Sequence, residues 1–279
     1  MNIAIVGATG NVGRKTIEVL EHKNISIENL YLLASSKSVG KKVLYKGKEL
    51  EVINLTNFDF SKVKVAFFAA GGEISEKFAL RASEKCLVID NSSKFRMDPD
   101  VPLIVPQVNS DALKNMKKNI IANPNCSTAQ LVIALKPLHD LFTIERIVVS
   151  TYQSVSGGGK APMDELIEQT KKVLNGQKVK SKNFTKQIAF NAIPHIDLFS
   201  EDGYTKEELK MTYETKKILG EQMRKTGLKQ LFETAWHADA KTGLELEAEL
   251  QAGLIGTANQ REAIAANFAK RAPEFNDPE

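Results

Sequence analysis

The chain has 279 residues, 26% of them charged and 42% hydrophobic, with a formal net charge of +4. Those figures suit one large or two ordinary domains with a sizeable core, and they exclude a disordered polymer, a collagenous repeat and a disulfide-stapled miniprotein. No apolar stretch reaches the roughly 18 to 20 residues of a membrane helix, and the start Met1-Asn2-Ile3-Ala4-Ile5-Val6-Gly7 has no basic leader, so a cytoplasmic protein without membrane contact is expected. Cys86 and Cys126 are too few for a disulfide framework and form no CxxC or zinc-type cluster, so free thiols and no metal are expected.

The basic excess is not a nucleic-acid signature. Residues 1–220 hold 31 Lys+Arg against 24 Asp+Glu, and residues 221–279 hold 7 against 10. The lysines are scattered, with no interleaved aromatic residues to form a stacking platform, which describes a solvated surface. Alanine supplies 15 of the first 220 residues but 11 of the last 59, where isoleucine is reduced to Ile255 and Ile264. The tail is therefore expected to be helical and differently composed.

In chain order, Asn2–Val6 is an apolar run ending in glycine, Val12–Leu20 has helical spacing, and Leu30–Ala34 is a second apolar run. Strand, helix, strand in so short a span is a βαβ unit and predicts a parallel sheet. Val63–Ala70 and Cys86–Ile89 are further buried strands, one ending at Gly71-Gly72 and the other at Asp90-Asn91-Ser92-Ser93. Asn119–Ala122 reads as a strand and Ser127–Leu138 as a helix. Arg146–Tyr152, rich in Ile, Val and Thr, reads as a strand opening a second domain. Pro162–Leu174 and Thr205–Leu219 read as helices, the latter opened by a Thr205…Glu208 capping box. The expected class is α/β, with a Rossmann-like NADP-binding domain over 1–126, a partial α+β catalytic and dimerisation domain over 127–219, and a helical tail over 220–279.

Gly7-Ala8-Thr9-Gly10-Asn11-Val12-Gly13 lies where the first strand turns into the first helix. Glycines there let the backbone approach a pyrophosphate, and the helix start offers free N–H donors and partial positive charge. The spacing is GxxGxxG, which a tight structural turn would also use. Roughly 20 residues on, where an acid would hold a ribose hydroxyl, stand Ser35, Ser36 and Lys37, a set suited to a 2′-phosphate and hence to NADP, or to an ordinary polar loop. Asn123-Pro124-Asn125-Cys126-Ser127-Thr128 follows a strand and opens a helix, where the dipole and unpaired N–H groups stabilise a thiolate. Cys126 is thus a candidate nucleophile, although free cysteines also serve as packing residues; Cys86 reads as packing.

Taken together, GATGNVG at 7–13, NSSKFR at 91–96, PNCST at 124–128, STYQSVSGGG at 150–159, FNAIPHID at 190–197 and DGYTKEELKMTYETKKIL at 202–219 resemble aspartate-semialdehyde dehydrogenase. The resemblance implies reversible reduction of aspartyl phosphate to aspartate semialdehyde by NADPH, on the route to lysine, methionine and threonine. It casts Cys126 as the thiolate that forms a thioester and Gln153 as the group that positions the substrate. Arg96 and Lys217 would hold the phosphate, Asn125 would assist, and Glu214 would pair with the substrate ammonium. Read without the resemblance, Arg96 is equally a surface charge, and Glu214 and Lys217 an i,i+3 surface pair. Gly7, Thr9, Gly10, Asn11, Val12, Gly13, Ser35, Ser36, Lys37 and Gly71 would line the cofactor. The implied assembly is a homo-oligomer acting on a small molecule.

After Gly220 the resemblance stops. The family continues into an RxPxxxxHS segment, whose arginine grips the substrate carboxylate and whose histidine is the general acid and base; nothing of that form follows here. His237 has no arginine seven residues before it, His195 reads as structural, and His22 and His139 as exposed helical residues. The tail resembles the carboxy-terminal helices of the enoyl-CoA hydratase and isomerase superfamily through Gly243–Gln251, Asn259–Ile264 and Phe268–Phe275, with a Thr257…Gln260 capping box. Impaired turnover is expected, as is an exposed apolar sheet face that favours association. Other readings are a cofactor-binding remnant or fusion product without turnover, and an N-acetyl-glutamyl-phosphate reductase, which Glu214 disfavours because it suits a free ammonium.

Overall fold

The computed structural model describes residues 1–23, 25–201 and 203–220, with residues 261, 262, 265, 266, 269, 271 and 274 beyond them. Met1–Phe142 and Val149–Glu221 make one compact unit, and Thr143–Val148 belongs to another.

The first apolar run forms β1 (Ile3–Val6), which pairs in parallel with β2 (Leu30–Ala34) on one side and β5 (Val65–Phe68) on the other; Ile3 lies opposite both Leu30 and Val65. Beyond β5 the sheet continues in parallel through β6 (Leu87–Asp90) to β7 (Ile120–Ala122). On the other side β4 (Lys48–Asn54) pairs in parallel with β2 and antiparallel with β3 (Lys42–Tyr45), giving the order β3-β4-β2-β1-β5-β6-β7. Helix α1 (Asn11–His22) connects β1 to β2, and α2 (Gly72–Ser83) connects β5 to β6.

Every residue of β1 is buried because helices cover both faces. Ala4 and Val6 face a cluster with Phe68, Phe78 and Val88, while Ile5 faces Ile17, Leu20, Leu32 and Val52. The first cluster also takes in Val132 of α4 (Cys126–Phe142) and Ile218 of α6 (Lys206–Leu219), so these two later helices pack on the parallel sheet itself. Helix α3 (Pro106–Asn109) is one turn, and α5 (Lys160–Leu174) uses two buried polar residues as anchors. Glu165 accepts the backbone N–H of Lys182 at 2.8 Å and of Asn183 at 2.6 Å, and Gln169 Oε1 accepts that of Ile188 at 2.9 Å, which fixes the long coil after α5. This is an α/β fold with a Rossmann-like parallel sheet.

The structure departs from sequence expectation in specific places. The β3–β4 hairpin was not legible: its turn is Lys46-Gly47, both with positive φ (47° and 75°), a two-residue turn without the usual asparagine or aspartate. Arg146–Tyr152 forms no strand. A strand needs a neighbour for its backbone ladder, and no described strand pairs with this segment. Val148 is 79% and Tyr152 95% exposed and Ile147 is half-buried, so the apolar surface here belongs to coil and is not the sheet face that was expected. His139 is half-buried rather than exposed. Among the described residues no helix is long and apolar enough to cross a membrane, and no group of His, Cys, Asp and Glu could hold a metal. In the tail residues 261, 262, 265 and 266 are helical, while the Thr257…Gln260 cap and His237 lie outside the described residues.

Gly13 is the tightest point of the β1–α1 junction. A Cβ there would stand 2.2 Å from the Gly7 carbonyl oxygen and 2.9 Å from Ala8 Cα, both backbone atoms that cannot swing away. Gly13→Ala is therefore expected to cost about 1–3 kcal/mol, seen as a melting temperature lowered by several degrees. An unchanged melt would contradict the packing described here.

Candidate active site

Parallel strands end on one edge, and the loops leaving that edge carry the chemistry-bearing residues. Gly7 follows β1 with φ +85°, a left-handed backbone that favours glycine, and a Cβ would meet the Ala69 carbonyl at 2.7 Å. Gly10 differs: its φ is −78° and its missing Cβ would approach only Gly7 O, at 3.4 Å. Neither strain nor internal packing demands glycine at position 10, so its bare Cα keeps open the approach to the first turn of α1. Thr9 Oγ1 reaches Ser38 Oγ at 3.4 Å, which brings the glycine loop beside the 35–38 turn, where Ser35, Ser36 and Lys37 are exposed. Gly71, φ +87°, opens α2 at the end of β5. Asn11 and Val12 are exposed in the first turn of α1, and Asn11 Nδ2 lies 3.5 Å from Met163 Sδ on α5. A free helix start, an open glycine and a nearby hydroxyl and lysine set fit a phosphorylated dinucleotide.

Cys126 is the first residue of α4 and is exposed, whereas Cys86 is buried. Asn125 caps this helix: its carbonyl accepts from Ala129 N–H at 2.9 Å and its Oδ1 from Ser127 N–H at 2.8 Å. Burial pushes the Cys86 thiol up from 9.0 to about 11.

Helix α6 completes the site from far along the chain. Glu214, 2% exposed, accepts Arg96 Nη1 on one oxygen at 2.9 Å and the Asn125 backbone N–H on the other at 2.6 Å. Arg96 also donates Nε to Asn123 O at 2.9 Å and Nη2 to Asn91 O at 3.1 Å, so three of its five N–H groups bind protein and two are left over. One turn on, Lys217 donates to the carbonyls of Arg96 and Asp98, each at 2.7 Å, and Val101 at 2.9 Å. Burial draws the Lys217 pKa below its ordinary value, with the Asp98 carboxylate opposing. Arg96, Asn125, Glu214 and Lys217 thus form one cluster at the start of the Cys126 helix, and the last two are anchors across elements rather than a surface pair. Gln153 stands in the coil before the 155–158 turn, its amide packed over Gly157. His195 packs edge-on against Phe199 and its Nε2 lies 3.3 Å from Thr185 Oγ1, a structural setting.

Two members were not read from the sequence. Asp90, fully buried at the end of β6, accepts Ser75 Oγ and Ser92 Oγ at 2.7 Å each and so holds the root of the 91–96 loop. Glu207 accepts Asn125 Nδ2 at 2.8 Å. Its signal was present: it lies seven residues before Glu214, on the same helical face.

Two family models match the chain: semialdehyde dehydrogenase, NAD binding domain, over residues 2–116, and semialdehyde dehydrogenase, dimerisation domain, over residues 135–228. The second match runs past Gly220. The aspartate-semialdehyde dehydrogenase of Shewanella violacea is 52% identical over 222 residues, covering 79% of this chain and 66% of its own length. That of Vibrio mimicus is also 52% identical over 222 residues, with 79% and 70% covered. A crystal structure of aspartate semialdehyde dehydrogenase II from Vibrio cholerae complexed with ASA matches with a TM-score of 0.76 at 53% identity, over 78% of this chain and 66% of that one. The Candida albicans enzyme crystallised with NADP matches with a TM-score of 0.53 at 28% identity, over 78% and 60%. The chain belongs to the aspartate-semialdehyde dehydrogenase family, and it spans 66% of the length of its Shewanella violacea relative.

The two thiols should separate sharply by reactivity. At about pH 8 iodoacetamide is expected to label Cys126 well before Cys86, since the thiolate is the reacting form. Because the Cys86 pKa is raised in the folded protein, its contribution to stability is whole below about pH 9 and is lost as pH rises through about 11. Cys86→Ser should flatten that alkaline decline, measured by urea unfolding. Equal labelling of both thiols would contradict the assignment.

Proposed function

We propose that the chain interconverts L-aspartyl 4-phosphate and L-aspartate 4-semialdehyde with NADP, through a thioester on Cys126. The observation that carries the reading is the cluster of buried Arg96, Asn125 and Glu214 with half-buried Lys217 at the capped helix start that presents Cys126 to solvent. Family membership and the names of relatives at about 52% identity support it.

In this reading the Cys126 thiolate attacks the acyl phosphate carbon, forming a C–S bond while the C–O bond to phosphate breaks and phosphate leaves. NADPH, when bound, would supply a hydride to the thioester carbon, and breaking of the C–S bond would free the aldehyde and return the Cys126 thiolate. The chain's own part is positional and electrostatic. Arg96 offers its two remaining N–H groups to phosphate, and Lys217 of α6, its N–H groups already given to carbonyls of the Arg96 loop, adds the charge of a second cation. Glu214 has lone pairs left for a substrate ammonium, which favours aspartyl over an acylated-amine substrate such as that of N-acetyl-glutamyl-phosphate reductase. Gln153 positions the acyl group, and Asn125 holds the first turn of α4. Residues 7 and 9–13, with Ser35, Ser36, Lys37 and Gly71, hold the cofactor, the lysine and hydroxyls giving preference to NADP over NAD.

The dimerisation-domain match supports a homo-oligomer, and the relative crystallised with ASA supports a small-molecule substrate; a cytoplasmic location is part of the same proposal. The tail is proposed to share origin with the enoyl-CoA hydratase and isomerase helices, without their activity. Turnover is slow in this proposal, since residues after Gly220 hold no RxPxxxxHS segment and loss of a general acid and base typically removes about 10² to 10⁴ in rate.

The test is phosphate-dependent NADP reduction with aspartate semialdehyde at high enzyme concentration, compared with Cys126→Ala. Slow turnover abolished by the substitution is expected, together with a thermal shift larger for NADP than for NAD. A thermal shift without turnover would favour a cofactor-binding remnant, and turnover that survives Cys126→Ala would overturn the thioester.

A further inference from the structure

We infer that Glu207 is a positioning residue for the nucleophile, acting through Asn125 to hold the cap of the helix that Cys126 begins. The inference rests on Cys126 as the nucleophile. Asn125 uses both ends of its side-chain amide: Oδ1 accepts Ser127 N–H at 2.8 Å, and Nδ2 donates to Glu207 Oε1 at 2.8 Å. An amide has one accepting and one donating end, and only this orientation caps α4. A carboxylate accepts and cannot donate, so Glu207 admits only the Nδ2 end and excludes the flipped amide. Glu207 and Asn125 are each 9% exposed, which leaves little water to take over either bond.

Glu207 does not cap its own helix. Its neighbour Glu208 closes the α6 capping box, accepting Thr205 N–H at 2.6 Å. The other oxygen of Glu207 accepts Lys210 Nζ at 3.2 Å, and Lys210 also donates to Asp197 Oδ2 at 2.7 Å. Burial works against the Lys210 charge, but the two carboxylates outweigh it and hold the ammonium above its ordinary pKa. Asp197 ends the FNAIPHID block, so a line of charged and polar contacts runs from that motif through Lys210, Glu207 and Asn125 to the first turn of α4. The N–H groups of that turn are what favour a thiolate at its start, and a frayed turn no longer aligns them.

The test reads the thiol directly and needs no turnover, so it can fail independently of the proposed activity. Glu207→Gln is compared with the unmodified protein by the rate of Cys126 alkylation with iodoacetamide at about pH 8, with the sites resolved by mass spectrometry. A glutamine can donate as well as accept, which lets Asn125 flip. Cys126 alkylation is expected to slow about 3- to 10-fold, with Cys86 unchanged. Loss of a carboxylate acting only through its charge would speed Cys126, and general loosening would speed both thiols; either result overturns the inference, as does an unchanged rate. The effect should vanish, to within about twofold, when Asn125→Ser is also present, because a serine hydroxyl caps without an amide to orient. The same slowing in both backgrounds would mean a merely structural role and would also overturn it. Glu207→Asp, which keeps an acceptor but shortens its reach, is the second variant should Glu207→Gln not fold, and equal slowing is expected of it.

Discussion

The carboxylate of Glu214 sits in the interior, and an isolated charge there would cost several kcal/mol. It is tolerated because Arg96 meets one oxygen and the Asn125 backbone N–H meets the other. The three groups come from different places: Arg96 from the loop after β6, Asn125 from the turn before α4, and Glu214 from a helix 118 residues beyond Arg96 and 89 beyond Asn125. Each is held in turn, Arg96 by the carbonyls of Asn91 and Asn123, and α6 by Lys217 on three carbonyls of the same loop. Removing any one strands a buried charge or an unpaired N–H, so the cluster forms as a unit or is costly.

The sheet explains why the unit stands where it does. β1, β5, β6 and β7 run parallel, so the glycine loop, Gly71, the 91–96 loop and the 123–126 turn all leave from the same edge. Buried apolar residues fix that edge from below, and Asp90 fixes the root of the Arg96 loop with two serine hydroxyls. Local backbone chemistry then completes each piece: positive φ at Gly7 and Gly71, and an asparagine cap before Cys126. Exposed Cys126 and the charged groups behind its helix are thus placed by one unit.

Much of this was readable from residue pattern. β1, α1 and β2, the strand ends at Gly71 and Asp90, and the Thr205…Glu208 cap of α6 all follow from local apolar periodicity and capping chemistry, which act within a few residues. What was hidden depends on partners distant in sequence. Glu214 and Lys217 look like a surface pair until α6 is laid against the 96–101 loop, and the spacing that puts Glu207 on the face of Glu214 does not show that it reaches Asn125. Arg146–Tyr152 shows the converse: strong strand propensity without a neighbouring strand yields coil. The Lys46-Gly47 turn escaped because lysine rarely holds a positive φ.

The central claim is that Arg96 and Glu214 are coupled across the fold rather than independent charges. A double-mutant cycle with Arg96→Met and Glu214→Gln, read by urea unfolding, measures that coupling directly. An interaction energy of about 1–3 kcal/mol is expected for groups sharing one buried network. Additive effects, with no coupling beyond about 0.5 kcal/mol, would mean that α6 does not seat Glu214 on the Arg96 loop, and the site as described would not exist.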